Sequence, residues 1–382
     1  MALLYTEEQK ELIKAVRDVA ENQIKPHVAA ADEAGKTPDE LWKYGFDLGL
    51  HLVEIPEEFG GLGLDYETCA MMFEELAKVD AAYADTFVTN FVAFRNIHLK
   101  GTPEQAQHFV DKTIDNGFAA FCLTEANAGS DVAGMKSTAV LDGDEYVLNG
   151  TKTFITNGSI ASIYVIFAKT DPDARGHGIT AFLVDHDTPG LSAGAHENKM
   201  GFRLSDTTEV IMDNVRVPKS AVIGQPGEGM SIALNALNLS RAFISTLGVG
   251  IMQRALDEAV AYAQQRKQFG KRLIDFQMVQ SLLADMAIKT EASRVMVNNC
   301  MRLMDKGDLV RGEGAIVKTF VTDSMQEVTS NAVQVFGGYG FSKDYPVEKL
   351  MRDSKVFQIF EGTNQIQRMT ISKNLDAEYR QG

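Results

Sequence analysis

Glu361 is the only charged residue in QIFEGTNQIQ (358–367), with an apolar pair before it and Gly362-Thr363 after it. No Lys or Arg lies within five residues of it. Such a carboxylate has two uses. It favours the N-terminus of a following helix, worth about 0.3–1 kcal/mol, with Thr363 as the cap. Alternatively it is a base kept reactive by thin solvation. Two further stretches have residue types suited to a ligand. CLTEANAGSDVAG (122–134) combines small residues with Thr124 and Ser130, so backbone amides and hydroxyls can approach an anion or a heterocycle. It also reads as a plain polar connection. QVFGGYGFSKDYPVEKLMRD sets Gly337, Gly338 and Gly340 around Tyr339, then Lys349, Arg352 and Asp353 on a helix. No GK[ST] follows and no GxGxxG opens after a strand, which leaves out a P-loop and a Rossmann site. A tight corner between helices accounts for the same glycines.

The elements that hold these stretches follow from periodicity. Thr6-Glu7-Glu8-Gln9 has capping-box form, and Leu12, Val16, Val19 and Ala20 recur at helical spacing up to Pro26. Thr37-Pro38-Asp39-Glu40 starts a second helix, IPEEFGGLGLD interrupts, and the run after Asp65 is helical again. Beyond about residue 120 the period becomes that of strands, with turns expected at Gly143-Asp144 and Asn149-Gly150. From Gly227 onward three long helical runs follow. The expected architecture is α+β and multi-domain: an N-terminal α-helical domain (1–120), a middle β-barrel-like domain (121–224) and a C-terminal four-helix bundle (225–382). A bundle raises the possibility of a di-iron centre, but every His lies at or before His196, so that reading is rejected.

The 382 residues exceed what one core supports, in keeping with several domains. A net charge of −15 argues against nucleic acid as a partner. Cys69, Cys122 and Cys300 are widely spaced and form no CxxC, which implies free thiols in a reducing compartment and no thiolate metal site. Asp185-His186-Asp187 reads as the end of a strand at a turn. The first residues show neither a secretory h-region nor an Arg-rich transit pattern. No apolar run reaches the roughly 18 residues of a membrane span. The expected location is cytoplasmic.

Taken together, the three stretches resemble the signatures of the acyl-CoA dehydrogenase family of flavoenzymes, with FEGTNQIQ matching its base-bearing YEGT-x-Q-x-Q segment. The order α-β-α and the length agree, so the resemblance spans essentially the whole chain. It implies FAD between the β-domain and the bundle. Phe121, Leu123, Thr124, Gly129 and Ser130 would line the flavin, and Phe154, Ile155 and Thr156 would cover its face; Phe154 stands where many relatives have Trp. Arg266, Gln268 and Phe269 would serve the phosphate and adenine end, with Phe276 and Gln277 following the same pattern. Gln334, Gly337 and Gly338 would reach the FAD of a neighbouring subunit, implying a homotetramer. Gly362, Thr363, Asn364 and Gln365 would complete the site.

The resemblance further implies that Glu361 abstracts the α-proton of an acyl-CoA thioester while flavin N5 accepts the β-hydride. The product is the trans-2-enoyl-CoA, and an electron-transferring flavoprotein takes the electrons. Ser130, Asn238 and Arg241 match positions that contact CoA. Some branches carry the base beside that Arg; here the neighbour is Ser240, which cannot serve, so Glu361 is the single candidate. Phe360 replaces the usual Tyr. Within AAYADTFVTNFVAF (81–94), Ala84 takes the place of the Arg that holds the distal carboxylate in the glutaryl-CoA branch. Phe87, Phe91, Phe94 and Phe243 either shorten the acyl pocket, favouring short or medium chains, or are core aromatics. Alternatives on the same scaffold are an enoyl-CoA reductase running the chemistry in reverse and a flavin oxidase or oxygenase.

Overall fold

The computed structural model describes residues 5–381. Helix α1 (Glu7–Val19) opens on the expected capping box, with Thr6 and Gln9 each satisfying the other's backbone N–H. The pattern predicts a stop at Pro26. Instead α1 passes through one π-turn, Ala20–Ile24, into α2 (Lys25–Ala34). Pro26 sits in the first turn of α2, where its missing N–H costs nothing. After α3 (Asp39–Asp47) come α4 (Tyr66–Val79), α5 (Ala81–Lys100) and α6 (Pro103–Thr113). Asp65 caps α4 and Asp80 caps α5, each accepting the N–H three residues on at 2.7 Å.

The middle region holds β1 (Phe118–Cys122), β2 (Thr138–Asp142), β3 (Glu145–Thr156), β4 (Ala161–Lys169), β5 (Ile179–Asp185), β6 (Leu191–His196), β7 (Thr207–Pro218) and β8 (Val222–Ile223). They form one eight-stranded sheet in the order β6-β7-β3-β2-β4-β5-β8, with β1 added parallel to β4. This sheet is what the barrel-like domain amounts to. The turn at Gly143 is present and joins β2 to β3. The turn expected at Asn149-Gly150 is not. β3 runs straight through it with a register shift, Gly150 taking φ 143° as a bulge. A Cβ on Gly150 would stand 2.3 Å from the Ser137 hydroxyl, so only glycine lets the strand pass that close.

The C-terminal region comprises α7 (Gly229–Gln265), a two-stranded ribbon of β9 (Lys267–Gln268) and β10 (Lys271–Arg272), α8 (Gln277–Met304), α9 (Arg311–Phe336), α10 (Val347–Ser354) and α11 (Asn364–Gln381). α7 packs on α8 and α9, and α9 packs on α11, giving the bundle; α7 also packs on α4 and α5. Among the described residues α7 is the one helix long and apolar enough to cross a membrane, yet 89% of its most apolar window is buried inside the protein. It is the central helix of a shared core in which Phe73 and Phe91 meet Phe243.

One buried ionic cluster ties all three regions. Lys349 Nζ on α10 donates to Asp80 at 2.6 Å and to Asp353 at 2.5 Å. Asp80 is the cap of α5, while Asp353 accepts the backbone N–H of Phe202 from the connection between β6 and β7. The two carboxylates hold the Lys349 ammonium well above its usual range despite burial. Replacing Lys349 by Met should strand both carboxylates and destabilise the fold by about 3–5 kcal/mol. Thermal unfolding measures this, and adding Asp353→Asn should recover part of the loss.

Candidate active site

A cavity of about 230 Å³ opens where the sheet meets α5, α7 and the segment before α11. The sheet side contributes Phe121, Leu123, Thr124, Gly129, Ser130, Phe154, Ile155 and Thr156, and α5 contributes Asp85, Thr89 and Val92. The opposite wall is Leu234, Leu237 and Arg241 of α7 with Phe360, Glu361 and Gly362.

Glu361 and Gly362 are both left-handed, at φ 58° and 88°. For a glutamate this costs about 1–2 kcal/mol and persists only where neighbours over-determine it. Here they do. Arg241 Nε donates to the Glu361 carbonyl at 2.8 Å and the Gln367 side-chain amide donates to it at 3.0 Å. Lys318 Nζ donates to the Gly362 carbonyl at 2.9 Å and to Asn364 at 2.8 Å. A Cβ at Gly362 would come within 2.7 Å of the Gln367 amide. Thr363 caps α11 through the Ile366 N–H, so the capping role is real but falls to the threonine.

The carboxylate itself is engaged on one side only. Ser240 Oγ donates to Oε1 at 2.8 Å, while Oε2 is enclosed and has no hydrogen-bonding partner among the described residues. Burial pushes the Glu361 carboxyl above the usual carboxylate range, opposed by the Ser240 hydrogen bond and by Arg241, Lys318 and Arg95. The isolation of Glu361 in sequence is therefore not isolation in space. Arg241 and Lys318 are spent on the loop's backbone carbonyls and Arg95 on Glu54, which fixes the loop without pairing the Glu361 carboxylate. Lys318, buried here, is itself pulled down to about 7.

The loop after β1 is anchored from behind. Glu125 accepts the backbone N–H of Lys136 and of Ser137 and pairs with Lys152 Nζ at 2.7 Å. Lys152 is fully buried. This anchor turns the loop so that Gly129 faces open space, with no atom within 4 Å of where its Cβ would stand. Phe154 is held at φ 56° at the edge of the cavity and is 64% exposed, an uncommon state for a large aromatic. An aromatic ledge, a glycine cradle and the hydroxyls of Thr124, Ser130 and Thr156 fit a planar heterocycle with one apolar and one polar edge.

The remaining expected cofactor residues lie elsewhere. Arg266, Gln268, Gln334, Gly337 and Gly338 line a second cavity of about 990 Å³, with the Arg266 guanidinium over the Tyr339 ring. The two cavities share no lining residue. Lys318 and Gln334 lie on the same helix, sixteen residues apart, or about 24 Å at 1.5 Å per residue. Phe269 is 94% exposed and meets Phe276 edge-on, next to Gln277. Gln365 is exposed, and Asn364 is buried against Thr322, Asp323 and Lys318, where it braces the base loop instead of lining the cavity.

Among the expected substrate contacts, Ser130 and Arg241 line the first cavity, whereas Asn238 stands behind Arg241 and accepts from its Nη1 at 2.9 Å. Phe87, Phe91, Phe94 and Phe243 are buried core aromatics and are not among the residues that line it. Phe360 does line it and packs edge-on against Phe202 and Phe357, a cluster that needs the ring and no hydroxyl. Three participants went unassigned in the sequence: the Glu125–Lys152 anchor, Asp85 facing the cavity, and Ser240. Ser240 had a signal. A position able to carry a base in some relatives must point at the same reacting atoms.

Family models match throughout: the acyl-CoA dehydrogenase N-terminal domain over residues 6–166, the middle domain over 120–215 and the C-terminal domain over 227–375. A probable acyl-CoA dehydrogenase, FadE25 of Mycobacterium tuberculosis, is 42% identical over 371 residues, covering 97% of this chain and 95% of its own. Butyryl-CoA dehydrogenase from Megasphaera elsdenii superposes with a TM-score of 0.95 at 38% identity, covering 98% and 100% of the two chains. A chain from work on the electron transferring flavoprotein of Acidaminococcus fermentans gives 0.95 at 39% identity, covering 98% and 99%. With the relatives' full length matched and a heterocycle cradle facing a buried carboxylate, this chain belongs to the acyl-CoA dehydrogenase family of FAD-dependent oxidoreductases.

Proposed function

We propose that the protein removes a hydrogen pair from Cα–Cβ of an acyl-CoA thioester, with Glu361 as the base that takes the α-proton. The carrying observation is the Glu361 carboxylate, enclosed beside the heterocycle cradle with Oε2 free and Oε1 held by Ser240. FAD supplies the acceptor for the β-hydride. The chain's own contribution is positional and electrostatic. An α-proton is weakly acidic, so a well-solvated carboxylate is a poor base; an enclosed one is stronger. The pinned left-handed loop holds Oε2 in place without a partner to displace. Ser130 and Arg241 serve the CoA-bearing end, with Asn238 orienting Arg241.

The second cavity supports assembly with another copy. Gln334 stands about 24 Å along α9 from Lys318, which braces the Glu361 loop, and the other cofactor-type residues line the same second cavity; Phe269, Met278 and Phe341 around it are 81–94% exposed. We assign this face to a homotetramer interface in which Arg266, Gln268, Gln334, Gly337 and Gly338 meet a neighbour's FAD. The electron acceptor is an electron-transferring flavoprotein, a reading supported by the structural neighbour from that system.

Glu361→Gln should keep its FAD and its CoA affinity but lose anaerobic flavin bleaching by acyl-CoA, by about 10²–10⁴-fold or more; bleaching at the wild-type rate would remove Glu361 as the base. For the wild type, kcat/KM should rise with pH as Glu361 ionises, with a midpoint above that of an ordinary carboxylate. Ser240→Ala removes a hydrogen bond to the ionised form, so its midpoint should move to still higher pH with little change in FAD content. Phe341→Asp should break the assembly and weaken FAD retention, read by light scattering and by the flavin-to-protein absorbance ratio.

A further inference from the structure

Asp85 has no part in the chemistry above, yet it faces the same cavity as Glu361. It sits on α5 with Thr89 and Val92 at i+4 and i+7, so all three point one way. The residue is only 6% exposed, and burial, Glu361 and Lys199 act on its carboxyl with no hydrogen bond among them; unlike the enclosed Glu361 Oε2, its oxygens stay open to the cavity. The Thr89 hydroxyl does not help, being committed to the Asp85 backbone carbonyl at 2.9 Å. Val92 continues its own wall, and the opposite wall sets the apolar Leu234, Leu237 and Phe360 alongside Arg241 and Glu361.

In the open cavity water can serve this carboxyl; once the cavity is filled, a carboxyl shut away without a partner is costly. A plain saturated chain filling this cavity would expel water and leave Asp85 uncompensated. We propose that the acyl group accepted here carries a hydrogen-bonding polar substituent, a hydroxyl or an amine, that Asp85 receives, making Asp85 a specificity-determining residue. This rests on reading the cavity as an acyl-CoA site. The charged groups facing Asp85 are Glu361 from the segment before α11 and Lys199 from the connection between β6 and β7. Lys199 Nζ is itself directed to the Ser205 carbonyl and, at 2.7 Å, to the Thr207 hydroxyl, so it does not satisfy the Asp85 carboxyl directly. Burial, with Glu361 adding and Lys199 opposing, brings Asp85 to about 7. A hydroxyl can therefore accept from the acid or donate to the carboxylate, whereas an ammonium needs the carboxylate.

The test is calorimetric titration of the FAD-loaded enzyme with S-alkyl-CoA thioethers of graded length. These lack the acidic α-proton of a thioester and bind without turnover. Each alkyl probe is paired with a probe of equal size bearing a hydroxyl or an ammonium along the chain. At least one polar probe should bind about tenfold or more tighter than its alkyl match, as expected for a hydrogen bond to a charged group. Asp85→Val should reverse that preference, and Asp85→Asn should keep the hydroxyl and lose the ammonium. Alkyl probes binding equally or better throughout, or a polar preference unchanged in Asp85→Val, would overturn the inference. Failure of every probe to bind would instead overturn the acyl-CoA reading of the cavity. Should the variants not fold, the wild-type comparison decides alone.

Discussion

The structure depends on a lysine kept inside it. Lys349 sits between Asp80 and Asp353, and each partner holds something else in place: Asp80 the first turn of α5, Asp353 the backbone at Phe202. A buried pair of this kind adds little net stability compared with an apolar packing of the same volume. What it does is fix where three regions meet. α5 carries one wall of the reaction cavity, α10 leads into the base loop, and Phe202 packs against Phe360 beside the base. A hydrophobic contact would permit small slips among these elements; two charge-assisted hydrogen bonds to one ammonium do not.

From that junction the base loop is built by the same logic at smaller scale. Its strained backbone is held by donors from α7, α9 and α11, and the strain is local to the residue proposed as the base. The cations that would quench a free carboxylate are consumed elsewhere, Arg241 and Lys318 by the loop's carbonyl oxygens and Arg95 by Glu54. The loop can thus sit among Arg241, Lys318 and Arg95 while its carboxyl still lies above the ordinary range.

The α-β-α order was legible because each domain has its own periodicity, and the three motif stretches because each is local in sequence. What failed locally was context. Pro26 looked like a stop until α2 supplied a first turn for it, and Asn149-Gly150 looked like a hairpin until Ser137 showed why the strand needs a glycine there. The site was legible as a set of residues but not as two cavities, since α9 and α7 separate them by length alone. The contacts that hold Glu361 lie 120 and 121 residues away in sequence, at Arg241 and Ser240, where no pattern of spacing reports them. Phe87 and its neighbours show the converse: aromatic residues in the right stretch that face the core.

α7 has a further consequence as a phasing rod. Arg241 reaches the first cavity and Arg266, at its end, the second, and the step of twenty-five residues from one to the other makes about seven turns at 3.6 residues per turn. The two arginines therefore emerge on nearly the same side. Inserting or deleting one residue would turn one end by about 100° relative to the other, though the helix itself would survive. Evolution can change the composition of this helix far more freely than its length, because the number of residues encodes the angular register between two sites.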